Sequence, residues 1–189
     1  MDGINKLADQ LTTEDKILIN SSQYSDETVV FNEDKAWLLG LILCDGCYQN
    51  SHISVSINAV GEDEIEHKFH DVFPKYFNME TKTDEKCRGK KGHYKDLLAV
   101  ADENKSMVKA IQYFTEKFGG ITKINRHIPN EVFSWNYTSK MAFMAGMIDA
   151  DGSVSKDSHG GSIIQIGSTN KELSLQQMAL AQALGMSAR

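Results

Sequence analysis

The alternation of hydrophobic and polar positions divides the first two thirds of the chain into predicted helices and strands. Residues 38–46 are apolar up to an Asp-Gly ending, which predicts a buried helix that stops at the glycine. Residues 53–58 alternate between apolar and polar side chains, as a half-buried strand does. Apolar residues recur every three or four positions at 62–76, which predicts an amphipathic helix. Two further strands are predicted within residues 80–103, and a further helix at 105–118.

The same order of elements begins again near residue 144. Residues 144–152 align without a gap with residues 38–46. They are followed by a predicted strand at 163–168 and by a helix for which Asn170 is a suitable N-cap. The first copy then continues through two strands and a helix, whereas the second stops at Arg189. We therefore expect that the second copy lacks roughly 35 residues, and that the chain is a fragment or a protein that has lost its end.

Small residues lie four positions apart in both of the aligned helices. A small residue on a helix surface allows a neighbouring backbone to approach closely. Two such faces in one chain are expected to pack against each other about a pseudo-two-fold axis. The residues concerned are Gly40, Cys44, Gly146 and Ala150.

Each of these two helices ends in an aspartate, and packing the helices together would bring Asp45 and Asp151 to the same level. A helix C-terminus carries about half a negative charge, so two carboxylates at two such ends would repel each other. A divalent cation removes this conflict, and Mg²⁺ is commonly held by one or two carboxylates together with phosphate oxygens. The pattern therefore predicts a metal site suited to phosphodiester hydrolysis. The alternative, that Asp-Gly is only a turn signal, is weakened by its duplication at matched positions.

Composition and charge indicate a soluble globular protein that could bind nucleic acid. Hydrophobic residues make up 41% of the chain and charged residues 24%, and no apolar run approaches the ~20 residues of a membrane span. The net charge is −6, but residues 82–127 contain eleven Lys or Arg against six Asp or Glu. Because the local field decides whether a surface attracts phosphate, this segment is compatible with DNA or RNA. Three cysteines favour a reducing compartment, and we expect a cytoplasmic location.

The two Asp-Gly segments resemble the motif of the LAGLIDADG homing endonucleases, and specifically that of the dodecapeptide-type enzymes found in inteins. Residues 144–152 differ from the nonapeptide only by Met at two Leu positions. The first copy, at 38–46, departs from it at three positions but keeps both glycines and the last aspartate. The segments 127–133 and 168–173 also resemble segments of intein endonucleases. No splicing block accompanies them, so splicing is not predicted.

This resemblance implies an α/β fold of two αββαββα halves, with the motif helices at their interface and one sheet from each half lying over the DNA major groove. It implies that Asp45 and Asp151 bind divalent metal, expected to be Mg²⁺, and cleave both strands of double-stranded DNA. A complete chain would act as a monomer with internal pseudo-two-fold symmetry. The expected organisation is an unassigned acidic extension at 1–35, a first repeat at 36–125 and a truncated second repeat at 126–189.

Homing endonucleases of this kind also use basic residues near the metal. Lys105 is the first candidate for such a catalytic lysine in this chain, and Lys95 is the second. Basic residues on the predicted hairpin of the first copy are expected to meet phosphates and base edges. This predicted DNA-contact cluster consists of Lys86, Arg88, Lys90, Lys91 and Lys95.

Other interpretations remain open beside an active endonuclease. One is a non-catalytic nucleic-acid binder on the same fold, such as an intron maturase or a transcription regulator. Another is an inactive remnant of an intein endonuclease. The retention of both Asp45 and Asp151 favours catalysis, because a pure binder has no need of paired carboxylates. A zinc site built on Cys44 and Cys47, with Cys87 and His93 further along, lacks the paired knuckles that structural zinc usually has.

Overall fold

The computed structural model of the protein shows two halves that share the predicted order of elements. The first half consists of α1 (Glu33–Asp45), β1 (Cys47–Gln49), β2 (His52–Asn58), α2 (Asp63–Phe77), β3 (Glu80–Cys87), β4 (His93–Val100) and α3 (Asn104–Phe118). A linker with two short 3-10 helices, Lys123–Asn125 and Asn130–Ser134, leads to α4 (Tyr137–Asp151), β5 (Gly152–Lys156), β6 (Ser162–Ile166) and α5 (Lys171–Ala183). The structure describes residues 29–49, 51–87, 93–101, 104–120, 122–156 and 160–188.

The helices and strands expected from periodicity are present, with ends shifted by one to a few residues. The first half has the order αββαββα, as predicted, and the described part of the second half has the order αββα. The side chain of Asn170 accepts hydrogen bonds from the N–H groups of Glu172 and Leu173, which confirms it as the N-cap of α5. Asn78 ends α2 in the left-handed conformation, with φ of 48°.

The sheet of the first half has strand order β1-β2-β4-β3, with all neighbours antiparallel. Its inner face packs against α2 and α3, because the alternate residues Val55 and Leu97 are fully buried with Phe69 and Phe114 of these helices. The second half contributes a separate two-stranded sheet, β5-β6. Among the described residues, no helix is long and apolar enough to cross a membrane.

Strand register places Lys95 on the inner face of the sheet, away from the rest of the predicted DNA-contact cluster. Lys95 lies opposite Ile57, which is buried in the core, so both side chains point toward α2. There the Lys95 ammonium nitrogen lies 2.7 Å from a carboxylate oxygen of Glu66 and 3.1 Å from one of Asp63. This contradicts the expected DNA contact of Lys95, because a lysine paired with α2 cannot share a binding face with Lys86.

Of the other four residues in the predicted DNA-contact cluster, only Lys86 lies within the described part of the chain. Lys86 lies on the outer face, where it forms an ion pair of 2.5 Å with Asp96. The hydroxyl of Ser56, on the neighbouring strand, donates to the same carboxylate at 2.6 Å. Arg88, Lys90 and Lys91 lie outside the described residues.

Helices α1 and α4 cross at their glycines. A Cβ atom on Gly40 would lie 2.1 Å from the carbonyl oxygen of Phe143, and one on Gly146 would lie 2.0 Å from the carbonyl oxygen of Trp37. Both distances are far inside van der Waals contact, so this backbone approach requires glycine at both positions. The two glycines found at matched places in the sequence, Gly40 and Gly146, therefore lie where the two helices cross.

The segment just before α1 also joins the halves. The ring of Phe31 stacks on Trp135 with 4.0 Å between the ring centroids. The backbone N–H of Phe31 donates to the hydroxyl of Ser139 at 3.1 Å, and that hydroxyl donates to the Phe31 carbonyl at 2.7 Å. Residues 29–35 are thus part of the fold, although 1–35 was expected to be an extension. Residues 1–28 lie outside the described part of the chain.

Candidate catalytic and metal site

Each motif helix ends in an Asp-Gly pair because the chain turns sharply into a strand there. A Cβ atom on Gly46 would lie 2.4 Å from the carbonyl oxygen of Ile42, and one on Gly152 would lie 2.5 Å from that of Ile148. Glycine is therefore required directly after each helix. The aspartate that precedes the glycine therefore lies at the C-terminal end of the helix. The partial negative charge of that end disfavours a carboxylate, so the turn alone does not explain why aspartate is present.

The carboxylate of Asp45 is held from two sides. Its Oδ1 atom lies 2.7 Å from the ammonium nitrogen of Lys123 in the linker. Its Oδ2 atom accepts a hydrogen bond of 2.9 Å from the backbone N–H of Ser56 on β2. The Asp45 side chain is 18% exposed, so part of it still contacts solvent beside these two partners.

Asp151 lines a cleft of about 520 Å³ together with Cys44, Lys123, Leu173 and other residues. The residue is exposed to solvent, but its carboxyl group loses hydration where it faces the cleft, and this raises its pKa. Lys123 counteracts the increase, and the negative charge of Asp45 adds to it. The structure therefore brings Asp45 and Asp151 close enough to repel each other, with the positive charge of Lys123 beside both.

Arg126 explains how α1 tolerates an aspartate at its negative end. Its guanidinium group donates hydrogen bonds of 3.1 Å to the carbonyl oxygens of both Ile42 and Leu43, in the last turn of the helix. Arg126 is only 2% exposed, and its guanidinium lies 4.4 Å from the ring centroid of Tyr48. A cation bound to the last carbonyls offsets the partial negative charge of the helix end. Burial lowers the pKa of Arg126, yet a guanidinium stays protonated at neutral pH.

The linker that carries Lys123 and Arg126 is fixed by the second half. The side-chain amide of Asn170 donates to the Arg126 carbonyl oxygen at 2.7 Å and to the Lys123 carbonyl oxygen at 3.5 Å. The side-chain oxygen of Asn170 accepts the hydrogen bonds that cap the N-terminus of α5. Sequence reasoning missed both basic residues, because linker residues have no periodicity. The only available signal was that two cations, Lys123 and Arg126, lie next to the boundary expected between the two repeats.

The two lysines proposed from the sequence lie elsewhere. Lys95 is paired with α2, as described above, and Lys105 is an exposed residue in the first turn of α3. In the part of the chain that the structure describes, neither forms an ion pair with Asp45 or Asp151. The lysine beside the aspartates is Lys123.

The other aspartate of the second motif, Asp149, has a structural partner. Its carboxylate accepts a hydrogen bond of 2.7 Å from the indole nitrogen of Trp37, across the interface of α1 and α4. The aligned residue in the first copy is Leu43, which is buried. Asp149 therefore belongs to the helix interface, whereas the aligned aspartates Asp45 and Asp151 lie at the helix ends and interact through their charges.

The cysteines do not form a zinc site in the described region. Cys44 is 4% exposed in the core, and burial raises the pKa of its thiol to about 12, so the thiol stays protonated. The side-chain amide of Gln177 donates to its sulfur at 3.7 Å. Cys47 is exposed on β1. Among the described residues, no group of three His, Cys, Asp or Glu side chains could hold a metal ion.

The donor set nevertheless fits a hard divalent cation that takes its other ligands from outside the protein. Asp45 and Asp151 provide carboxylate oxygens, which Mg²⁺ and Ca²⁺ prefer to nitrogen or sulfur. Mg²⁺ sites commonly use one or two carboxylates, with water and phosphate completing the shell. The cleft beside Asp151 leaves space for such ligands.

Comparison with known proteins relates this arrangement to one family. Residues 138–189, from the first turn of α4 onward, match the family model described as a LAGLIDADG-like domain. The matched region contains most of α4, and α1 aligns with α4 in sequence and packs against it at the paired glycines. No curated protein matches the chain in sequence.

Solved structures show the same fold. One is a structure of mesophilic variants of the homing endonuclease I-DmoI, with 17% identity, a TM-score of 0.50, and coverage of 81% of this chain and 77% of that one. Another is I-DmoI in complex with DNA and Ca, with 17% identity, a TM-score of 0.51, and coverage of 81% and 72%. The predicted α/β homing-endonuclease fold is therefore confirmed. The closer likeness to intein endonucleases stays a prediction.

Proposed function

We propose that this protein is a site-specific endonuclease that cleaves double-stranded DNA with a divalent metal held by Asp45 and Asp151. The observation that carries the proposal is that two aligned carboxylates, from the ends of α1 and α4, interact electrostatically with each other and with Lys123, which lines the cleft together with Asp151. A structural protein has no use for a second carboxylate that raises the cost of ionising Asp151. A nuclease has a use for both carboxylates, because it can bind a divalent cation between them.

The roles of the chain's own residues follow from their contacts. Asp45 and Asp151 would hold the cation, and Ser56 orients the Asp45 carboxylate through its backbone N–H. Arg126 keeps the end of α1 in place by binding its last carbonyls. When bound, the metal, expected to be Mg²⁺, would activate water and stabilise charge on the phosphate oxygens.

The outer face of the first sheet is the proposed DNA-contact surface. Lys86 and Ser56 lie on this face and meet at Asp96, so the surface offers both donors and acceptors to base edges. The solved structure of I-DmoI with DNA and Ca has the same fold, which supports a DNA partner and a divalent cation for this protein. A monomeric state and a cytoplasmic location complete the proposal.

The test is selection from a pool of randomised DNA duplexes, since the target sequence is unknown. The full chain is incubated with the pool and Mg²⁺, and the ends of cut molecules are sequenced. We expect one recurrent cut sequence with Mg²⁺ and none with EDTA, and we expect Asp45→Asn and Asp151→Asn to lose this cutting. Binding to a recurrent sequence without any cutting would contradict the proposal and favour a non-catalytic binder on the same fold.

A further inference from the structure

We propose that Lys123 competes with the divalent cation for Asp45, so that the site binds metal weakly until a phosphate group draws Lys123 away. The inference rests on the proposed function, because it takes Asp45 as a metal ligand. It goes beyond that function because it assigns a role to Lys123 in the linker: this residue couples metal binding to DNA binding.

The contact between Lys123 and Asp45 occupies one of the two carboxylate oxygens that a cation could bind. The Lys123 ammonium lies 2.7 Å from Oδ1, while the Ser56 N–H already uses part of Oδ2. An ammonium and a divalent cation on the same carboxylate oxygen would be only a few ångströms apart and would repel strongly. A metal that takes Asp45 must therefore displace Lys123 or share the carboxylate at a cost.

Lys123 is able to move while its backbone stays in place. Its side chain is 50% exposed, and it lies in the short 3-10 helix Lys123–Asn125 rather than in the core. The backbone from Lys123 to Arg126 is held by Asn170, whose side-chain amide donates to the carbonyl oxygens of these two residues. A flexible four-carbon stem on an anchored backbone can turn from the carboxylate to a nearby phosphate.

The competition acts on one half of the site. In the part of the chain that the structure describes, no side chain donates a hydrogen bond to the Asp151 carboxylate, whereas Asp45 is paired. A cation arriving without DNA therefore meets one open carboxylate and one that is occupied by Lys123. A DNA phosphate offers the ammonium another anionic partner, and this frees Asp45. By linkage, DNA then strengthens metal binding and metal strengthens DNA binding by the same factor.

The first experiment measures metal binding without DNA. Mn²⁺ is titrated into the full-length wild type and into Lys123→Met, and free Mn²⁺ is followed by electron paramagnetic resonance. We expect Lys123→Met to bind Mn²⁺ about fivefold more tightly, because an ion pair of this exposure is worth up to about 1 kcal/mol. The matched control is Lys117→Met, which removes the same charge from a surface pair with Glu131 and should leave Mn²⁺ binding unchanged.

The outcomes separate this inference from the proposed function. Unchanged or weaker Mn²⁺ binding in Lys123→Met, together with weaker binding in Asp45→Asn, would overturn the competition and leave the metal site standing. Binding that is insensitive to both Asp45→Asn and Asp151→Asn would remove the metal site itself.

A second measurement tests the coupling to DNA. A fluorescently labelled duplex of mixed sequence is titrated with each protein at constant ionic strength, with Ca²⁺ or with EDTA, and anisotropy is recorded. Ca²⁺ should strengthen duplex binding in the wild type, and this strengthening should be about fivefold smaller in Lys123→Met. An equal effect of Ca²⁺ on both proteins would contradict the inference.

Discussion

Replacing Gly146 by alanine tests the packing that brings the two aspartates together. The new Cβ would lie 2.0 Å from the Trp37 carbonyl oxygen and 2.9 Å from the Leu41 amide nitrogen. Both neighbours are backbone atoms, so no side-chain rotation relieves the clash. Helices α1 and α4 would have to separate by roughly 1 Å, which forfeits about a quarter to a half of each dispersion contact at the crossing.

Two opposing effects decide the size of the loss in the free energy of unfolding. Overpacking of this kind costs typically about 1–3 kcal/mol and sometimes more, whereas alanine gains about 1 kcal/mol over glycine in a helix. Because the clash is between backbones, we expect the upper part of that range and a net destabilisation of about 2 kcal/mol. In a chain of 189 residues this corresponds to a fall in Tm of roughly 4–8 °C.

The assay is urea denaturation followed by circular dichroism, with thermal melting in parallel. Gly167→Ala is the matched control, since a Cβ there meets nothing within 4 Å. It should change the free energy of unfolding by less than about 0.5 kcal/mol. If Gly146→Ala proves as stable as Gly167→Ala, the close helix crossing described here is wrong.

Three further predictions concern other parts of the molecule. Arg126→Met should cost about 3 kcal/mol in urea denaturation, because it leaves two helix-end carbonyls without their buried donor; a loss under about 1 kcal/mol would contradict its role. Burial lowers the pKa of His70 below its ordinary 6.5, so the folded state favours the neutral ring. Stability from this source is present above pH 6.5 and falls as pH drops toward the folded-state pKa, and His70→Gln should flatten that decline in pH-dependent melting. Lys105→Met should leave the affinity for Mn²⁺ unchanged, and a change in that affinity would indicate that Lys105 does act at the metal site.

Much of the fold was predictable because its signals are local. Hydrophobic periodicity gives each helix and strand, and the duplicated motif carries Gly40 and Gly146 to the same crossing. The repeat also places Asp45 and Asp151 at equivalent ends of the two crossing helices, and the electrostatic interaction between them follows from that placement. These inferences needed no knowledge of how the linker runs.

The features that sequence reasoning missed depend on long-range geometry. Lys123 and Arg126 reach α1 only because Asn170, more than forty positions further along the chain, holds the linker in place. The error at Lys95 arose from register: its pairing with Ile57 puts the side chain on the inner face, and a shift by one residue would put it outside. The spacing of residues along the chain predicts neither the strand register nor the path of the linker.

The most direct test of the central claim compares two neighbouring aspartates on α4. A duplex enriched by selection is incubated with the wild type, Asp151→Asn and Asp149→Asn under single-turnover conditions with Mg²⁺, and both strands are followed. Asn at position 149 can still accept the Trp37 hydrogen bond, so we expect Asp149→Asn to cut both strands as the wild type does. We expect Asp151→Asn to bind the duplex without cutting it, and Mg²⁺-dependent double-strand cleavage by Asp151→Asn would contradict the account.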